Sequence, residues 1–363
     1  MTSPLIEFTR GVPPPESFPI KELIECSQIA LNEYGPGILQ YASSYGFPQL
    51  RELIASNYET DMENVVIGQG SLQLLDHLMR IYPPGSLTIA IEEPSYDRAI
   101  TIIRRTGAKV IPIPLDKQGM NLNVLKEALQ SGEKIDYFYI IPDYQNPTGS
   151  LLPISIRREL IQLAIQYDFK IIEDSPYKHL RYSGDSYPSI FDLKHEAVIH
   201  MSSFSKLISP GLRVGFMILP NDLSKKLAKV AEDTYINPSY LNQAIVYEFC
   251  CQGFLENHLN YLIQLYKNRR DNMVSALKQT MNKYLDWIEP QGGFFVGSYL
   301  YKSVKSDDLL SAALENGIKL SDGRGFYING GDNFIRLPFC ALNEKNINEG
   351  INRLKNTLIS LNL

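Results

Sequence analysis

The chain has 363 residues, 44% hydrophobic and 21% charged, with a formal net charge of −5. This is ordinary globular usage, so disorder, a fibrous protein and a disulfide mini-scaffold are all disfavoured, and about two domains are expected at roughly 150 residues each. With 35 basic against 40 acidic side chains there is no positive excess to offset a phosphate backbone, so no nucleic acid partner is expected.

The opening MTSPLIEFTR carries an acid and a base inside any apolar stretch, so it does not read as a signal peptide. Pro13, Pro14, Pro15 and Pro19 make the first 20 residues an extended arm. A helix is expected from Ile20 to Glu33, then a Gly/Pro/Tyr segment to Phe47, then a helix from Pro48 to Tyr58. From there strands and helices alternate. Val65-Val66-Ile67 is a strand leading to Gly68-Gln69-Gly70-Ser71 and a helix through Tyr82. Leu87 to Ile91, Lys109 to Ile113, Tyr137 to Ile141, Lys170 to Ile172, Val198 to Met201 and Val214 to Ile218 are further strands. Tyr96 to Thr106, Pro153 to Tyr167 and Ser224 to Thr234 are further helices. After Tyr284 the texture changes: Gly292 to Val296, a helix from Ser306 to Asn316, Phe334 to Leu337, and a last helix from Asn343 to Leu361.

The expected fold class is therefore α/β. A large domain has a mostly parallel sheet covered by helices, and a smaller α+β domain forms from the N-terminal arm and the C-terminal segment. The boundaries are 1–40 for the arm and part of the small domain, 41–284 for the large ligand-binding domain, and 285–363 for the small domain. Cys26, Cys250, Cys251 and Cys340 make no CxxC pair, and the five histidines form no ligand pattern, so no metal is expected. Cys250-Cys251 reads as a buried helix pair. A reduced, cytoplasmic chain fits this cysteine usage. No run of about 18 apolar residues occurs, so no membrane span is expected.

Ligands of such sheets sit at the carboxyl ends of the strands. The polar residues there are Gly70-Ser71-Leu72, Tyr96, Asn146, Asp174, Tyr177, Ser203, Ser205, Lys206 and Arg213. A phosphate wants helix N-terminal amides, hydroxyls and an arginine, which Gly70, Ser71, Leu72, Ser203, Ser205 and Arg213 supply. A protonated ring nitrogen wants a buried carboxylate, here Asp174. A phenolate oxygen wants donors, here Asn146 and Tyr177, and a flat ring wants a face, here Tyr96. An aldehyde wants an amine, and Lys206 is the amine. The molecule with phosphate, pyridine nitrogen, phenolate and aldehyde is pyridoxal 5'-phosphate.

These residues also carry a family likeness. Ser203-Phe204-Ser205-Lys206 with Pro210-Gly211-Leu212-Arg213-Val214-Gly215 resembles the cofactor-attachment signature of fold-type I aminotransferases of class I/II. Asn146-Pro147-Thr148-Gly149, Asp174-Ser175-Pro176-Tyr177, Gly70-Ser71-Leu72-Gln73 and Ile335-Arg336-Leu337 resemble further blocks in the expected order. The likeness runs from about Phe8 to the C-terminus. It points to the 2-aminoadipate/kynurenine aminotransferase branch and to the aminotransferase half of MocR-type regulators. It implies that Arg336 grips a substrate carboxylate and that Gly11, in an arm over the site, lines the substrate pocket. It also implies a homodimer in which Tyr41 reaches the neighbouring cofactor phosphate.

The reaction that the resemblance implies is transfer of an amino group from an α-amino acid to a 2-oxo acid, with 2-oxoglutarate the expected acceptor, through a Lys206 Schiff base, with Lys206, Asp174 and Tyr177 catalytic and Asn146 also near the substrate. The alternatives are β-elimination, decarboxylation or oxidation on the same cofactor, and a non-catalytic ligand-sensing module. Because the arm begins within ten residues of Met1 and the net charge is negative, the sensing module, with its N-terminal winged-helix domain, is not the expected reading. Val-Val-Ile-Gly-Gln-Gly-Ser-Leu-Gln, with Glu92 beyond it, imitates a dinucleotide fingerprint, but Gln73 stands where its third glycine belongs. Asp322-Gly323-Arg324-Gly325 reads as a turn or, through Arg324, as part of the pocket wall.

Overall fold

A computed structural model describes residues 4–116 and 119–363. Its centre is an eight-stranded sheet in the order Val65–Gly68, Gly215–Ile218, Val198–Ser203, Lys170–Asp174, Tyr137–Ile140, Thr88–Glu93, Lys109–Asp116, Gly119–Met120. The run from Val198–Ser203 to Lys109–Asp116 is parallel. Gly215–Ile218 is antiparallel to both its neighbours. Val65–Gly68 therefore points the same way as the parallel set, and its end joins the same rim.

The central strands are buried along their whole length, as the continuous apolar runs in the sequence require of a sheet covered on both faces. Helices Ser71–Arg80, Asp97–Arg105, Ile154–Tyr167 and Asn221–Tyr235 supply the cover, each turning a face of apolar residues to the sheet. A second, antiparallel sheet joins Leu285–Trp287, Phe295–Leu300 and Phe334–Pro338. The N-terminal strand Ile6–Phe8 pairs in parallel with Ile318–Leu320, which ties the start of the chain to its last third.

Among the elements not foreseen are a strand and a helix. Strand Ile6–Phe8 lies inside the stretch read only as an extended arm, because three residues are too few to show a period of two and the pairing partner is more than 300 positions away. Helix Leu122–Gln130 was passed over although Leu122, Leu125 and Leu129 are spaced for one buried face and Asn121 caps it, its side chain accepting from the Asn123 amide. The pair Cys250-Cys251 sits on a helix, but Cys250 is half-buried and Cys251 exposed, so it is not the buried pair expected. Among the described residues no helix is long and apolar enough to cross a membrane, and no group of His, Cys, Asp and Glu is arranged to hold a metal ion.

Candidate active site

The carboxyl ends of the strands open on a cavity of about 760 Å³. The large sheet brings Gly70, Ser71, Leu72, Tyr96, Asn146, Asp174, Tyr177, Ser203, Ser205, Lys206 and Arg213 to its wall, while the arm adds Gly11 and the small sheet Arg336. Of the site residues named from the sequence, only Tyr41 stands apart; it is 76% exposed and lines no part of this cavity. Arg324 is also outside the wall. Its guanidinium is held by Asp322 and Asp307, and it is Asp322, Gly325 and Phe326 that face the cavity. Glu92 does not serve as a ribose-binding acid: it is fully buried, accepting from the Ile141 amide and from Gln145.

One end of the cavity is built for an anion. Gly70 takes φ 89 at the start of helix Ser71–Arg80, and no side chain caps that helix, so its first amides keep their hydrogen-bonding capacity. Arg213 adopts a left-handed backbone, φ 55 and ψ 47, a conformation that costs a non-glycine residue about 1 kcal/mol. It swings the guanidinium across Gly70, where Nη2 donates to the Gln69 carbonyl at 2.9 Å. A side chain at Gly70 would collide with that guanidinium, and one at Gly215 would collide with the Ser71 amide. Ser203 Oγ donates to Ser205 Oγ at 3.0 Å, and the Ser205 amide donates back to Ser203 Oγ at 3.2 Å.

The same wall carries a deeply buried carboxylate. Asp174 is the last residue of its strand rather than a residue after it, and is 4% exposed. Its Oδ2 accepts from the Tyr139 hydroxyl at 2.7 Å, and its Oδ1 is buried with no partner. Burial pushes its pKa up to about 6, against the downward pull of the Tyr139 bond. Tyr177, packed against Phe294 and Phe295, is buried and its phenol is held well above its ordinary pKa by that burial.

Lys206 lines the same cavity. Its Nζ donates to the Gly11 carbonyl at 3.0 Å and stands 5.5 Å from the centre of the Phe294 ring. Desolvation lowers its pKa, and the positive charges of Arg213 and Arg336 push the same way. Gly11 has to be a glycine because a Cβ there would overlap the Phe295 ring.

Arg336, 7% exposed, sits between the rings of Phe295 and Phe326, at 4.8 and 4.4 Å from their centres. Nη1 donates to Asn146 Oδ1 at 3.0 Å and Nη2 to the Thr9 carbonyl at 2.6 Å, while Nε is buried without a partner. A buried guanidinium with only neutral acceptors is short of an anion. The Asn146 bond uses the amide oxygen and leaves its NH₂ group to donate elsewhere. Tyr139, Phe295, Phe326 and Thr9 were missed from the sequence. Tyr139 falls there inside the apolar strand Tyr137 to Ile141, and nothing local shows that its hydroxyl meets an acid.

Pyridoxal phosphate fits this set. The orphaned Asp174 oxygen matches a protonated ring nitrogen, the uncapped helix end and Arg213 match a phosphate, and the desolvated amine matches an aldehyde.

Comparison with known proteins agrees. The family model described as aminotransferase class I and II matches residues 5–354. A 2-aminoadipate transaminase of Thermus thermophilus is 33% identical over 362 residues, covering 98% of this chain and 91% of that protein. Aromatic-amino-acid aminotransferase 1 of Thermococcus litoralis is 34% identical over 370 residues, covering 98% and 88%. The crystal structure of an α-aminoadipate aminotransferase from T. thermophilus, complexed with N-(5'-phosphopyridoxyl)-L-leucine, has a TM-score of 0.93 at 32% identity, covering 98% of this chain and 92% of that one. The chain thus belongs to the class I and II aminotransferases and is a pyridoxal-phosphate-dependent enzyme that transfers amino groups.

Proposed function

We propose that this enzyme moves the amino group of an α-amino acid to a 2-oxo acid, 2-oxoglutarate among them, with Lys206 as the covalent anchor and proton carrier. The observation that carries the reading is the buried Asp174 Oδ1 without a partner, in one cavity with the desolvated Lys206 amine. When bound, pyridoxal phosphate supplies an aldehyde that condenses with amines and a ring that draws electrons from the substrate Cα–H bond.

The chain's own groups do the rest. Ser203, Ser205, Arg213 and the amides of Gly70, Ser71 and Leu72 would hold the phosphate, and Tyr96 would face the ring. Asp174 would keep the ring nitrogen protonated, a charge-assisted bond worth roughly 1.5–3 kcal/mol. Asn146, through its NH₂ group, and Tyr177 would donate to the phenolate oxygen. Arg336 grips the substrate α-carboxylate, giving its guanidinium the anion it lacks. That grip orients the Cα proton toward Lys206 Nζ, an amine whose burial eases loss of its own proton and so favours its acting as the base. Gly11 closes the wall beside the substrate.

The functional unit is a homodimer in which Tyr41 of a second copy completes the phosphate site; its exposure in the single chain is consistent with that role. We assign residues 1–40 to the arm and part of the small domain, 41–284 to the large domain and 285–363 to the small domain, and place the enzyme in the cytoplasm. Lys206→Ala with a glutamate half-reaction tests the assignment. Loss of the amine-dependent colour change and of borohydride fixation is expected, and amino transfer at the normal rate rules the assignment out.

A further inference from the structure

We propose that Arg10 is a specificity-determining residue that reads a second, distal carboxylate on the substrate. This rests on the transamination reading above and adds to it the group that recognises the side-chain carboxylate of 2-oxoglutarate and of other acidic substrates.

The arm is fixed on both sides of Arg10. Phe8, fully buried, ends the strand paired with Ile318–Leu320. The Thr9 carbonyl accepts from Arg336 and the Gly11 carbonyl from Lys206. The main chain thus runs from the group that grips the α-carboxylate to the group that handles the amine, with Arg10 between them. Arg10 is exposed, is one of the residues that line the cavity and, among the described residues, makes no hydrogen bond or ion pair.

Charge bookkeeping singles it out. Arg213 is directed to the phosphate, Lys206 to the aldehyde and Arg336 to the α-carboxylate. The other cation in the wall, Arg98, lies 3.6 Å from Asp97, and the acid Asp322 is held by Arg324. Arg10 is left with no anion, on a backbone already in place. A monocarboxylic substrate gives it nothing to bind. A dicarboxylic one brings the missing charge, and the planar guanidinium can hold it through two hydrogen bonds. Because backbone ordering is already complete, only the side chain is immobilised on binding.

The test uses the cofactor-loaded enzyme with Arg10→Ala and Arg10→Lys. Two readouts are taken: half-reaction rates with glutamate and with norvaline, which differ by the distal carboxylate, and calorimetric binding of glutarate against pentanoate, which do not react. The expected result is a fall of about 10- to 100-fold in the glutamate-to-norvaline ratio of kcat/KM in Arg10→Ala, with partial recovery in Arg10→Lys. Glutarate is expected to bind wild type more tightly than pentanoate, and to lose that advantage in Arg10→Ala. Equal losses for both substrates, or no glutarate advantage in wild type, overturns the assignment to Arg10. Failure of both amino acids to react in wild type sinks the transamination reading instead, and the glutarate measurement still decides the role of Arg10.

Discussion

The Tyr139 hydroxyl donates to Asp174 Oδ2 at 2.7 Å, which leaves Oδ1 as the single buried carboxylate oxygen without a partner. The two side chains come from neighbouring parallel strands, Tyr137–Ile140 and Lys170–Asp174. One oxygen is thereby committed to the scaffold and the other to the ligand. Tyr139→Phe removes a bond that lowers the Asp174 pKa, so that pKa rises further and the acid pairs less well with a protonated ring nitrogen. Pyridoxal phosphate is expected to bind about 10-fold more weakly, with a shifted pH dependence of the cofactor absorbance. Equilibrium dialysis and a spectral titration check this; unchanged affinity and spectrum would show that Tyr139 only packs.

The same carboxylate makes the cofactor-free protein sensitive to pH. An unfolded aspartate has its pKa at 3.8, and in the fold burial raises it to about 6. The folded protein holds this proton more tightly, so the stability that Asp174 contributes is fully present below about pH 4 and is lost as pH climbs through about 6. Asp174→Asn removes that loss. The cofactor-free variant is expected to be more stable than cofactor-free wild type at pH 8, by about 3 kcal/mol at most, and to show no advantage near pH 4. Denaturant melts at both values decide it, and an equal difference at the two would contradict the titration.

Gly215→Ala tests the anion cradle through sterics alone. A Cβ there meets the Ser71 amide and the backbone of Gly70, neither of which can rotate away. Stability is expected to fall by about 1–3 kcal/mol, together with affinity for pyridoxal phosphate. A variant of wild-type stability that binds the cofactor normally would mean that the strand and the helix start do not need this close approach.

Arg336→Lys keeps a positive charge but loses the planar fork between Phe295 and Phe326. The kcat/KM for every α-amino acid is expected to drop about 100-fold, while the absorbance of the bound cofactor stays as in wild type. An effect confined to acidic substrates would move Arg336 from the α-carboxylate to the side chain.

Much of the site was legible because its chemistry comes in local blocks. Ser203, Ser205, Lys206 and Arg213 fall within one short stretch, and each further group follows an apolar run that reads as a strand. What could not be read was every pairing across the chain. Arg336 meets Asn146 at a separation of 190 residues and the Thr9 carbonyl at 327. The Gly11 carbonyl meets Lys206 at 195. Local sequence also left Arg324 open between a turn and the cavity wall: Asp307, 17 positions away along the chain, helps hold it outside that wall.

The sequence by itself determined the alternation of strand and helix and the kinds of group gathered at the strand ends, because side-chain periodicity and short-range blocks are properties of neighbouring residues. Only the tertiary structure decided which oxygen of Asp174 is left over, which carbonyls of the arm meet Lys206 and Arg336, and that Arg10 has no anion. Those outcomes depend on strand order and on the arm's pairing with Ile318–Leu320, where burial turns an ordinary polar atom into one that needs a partner.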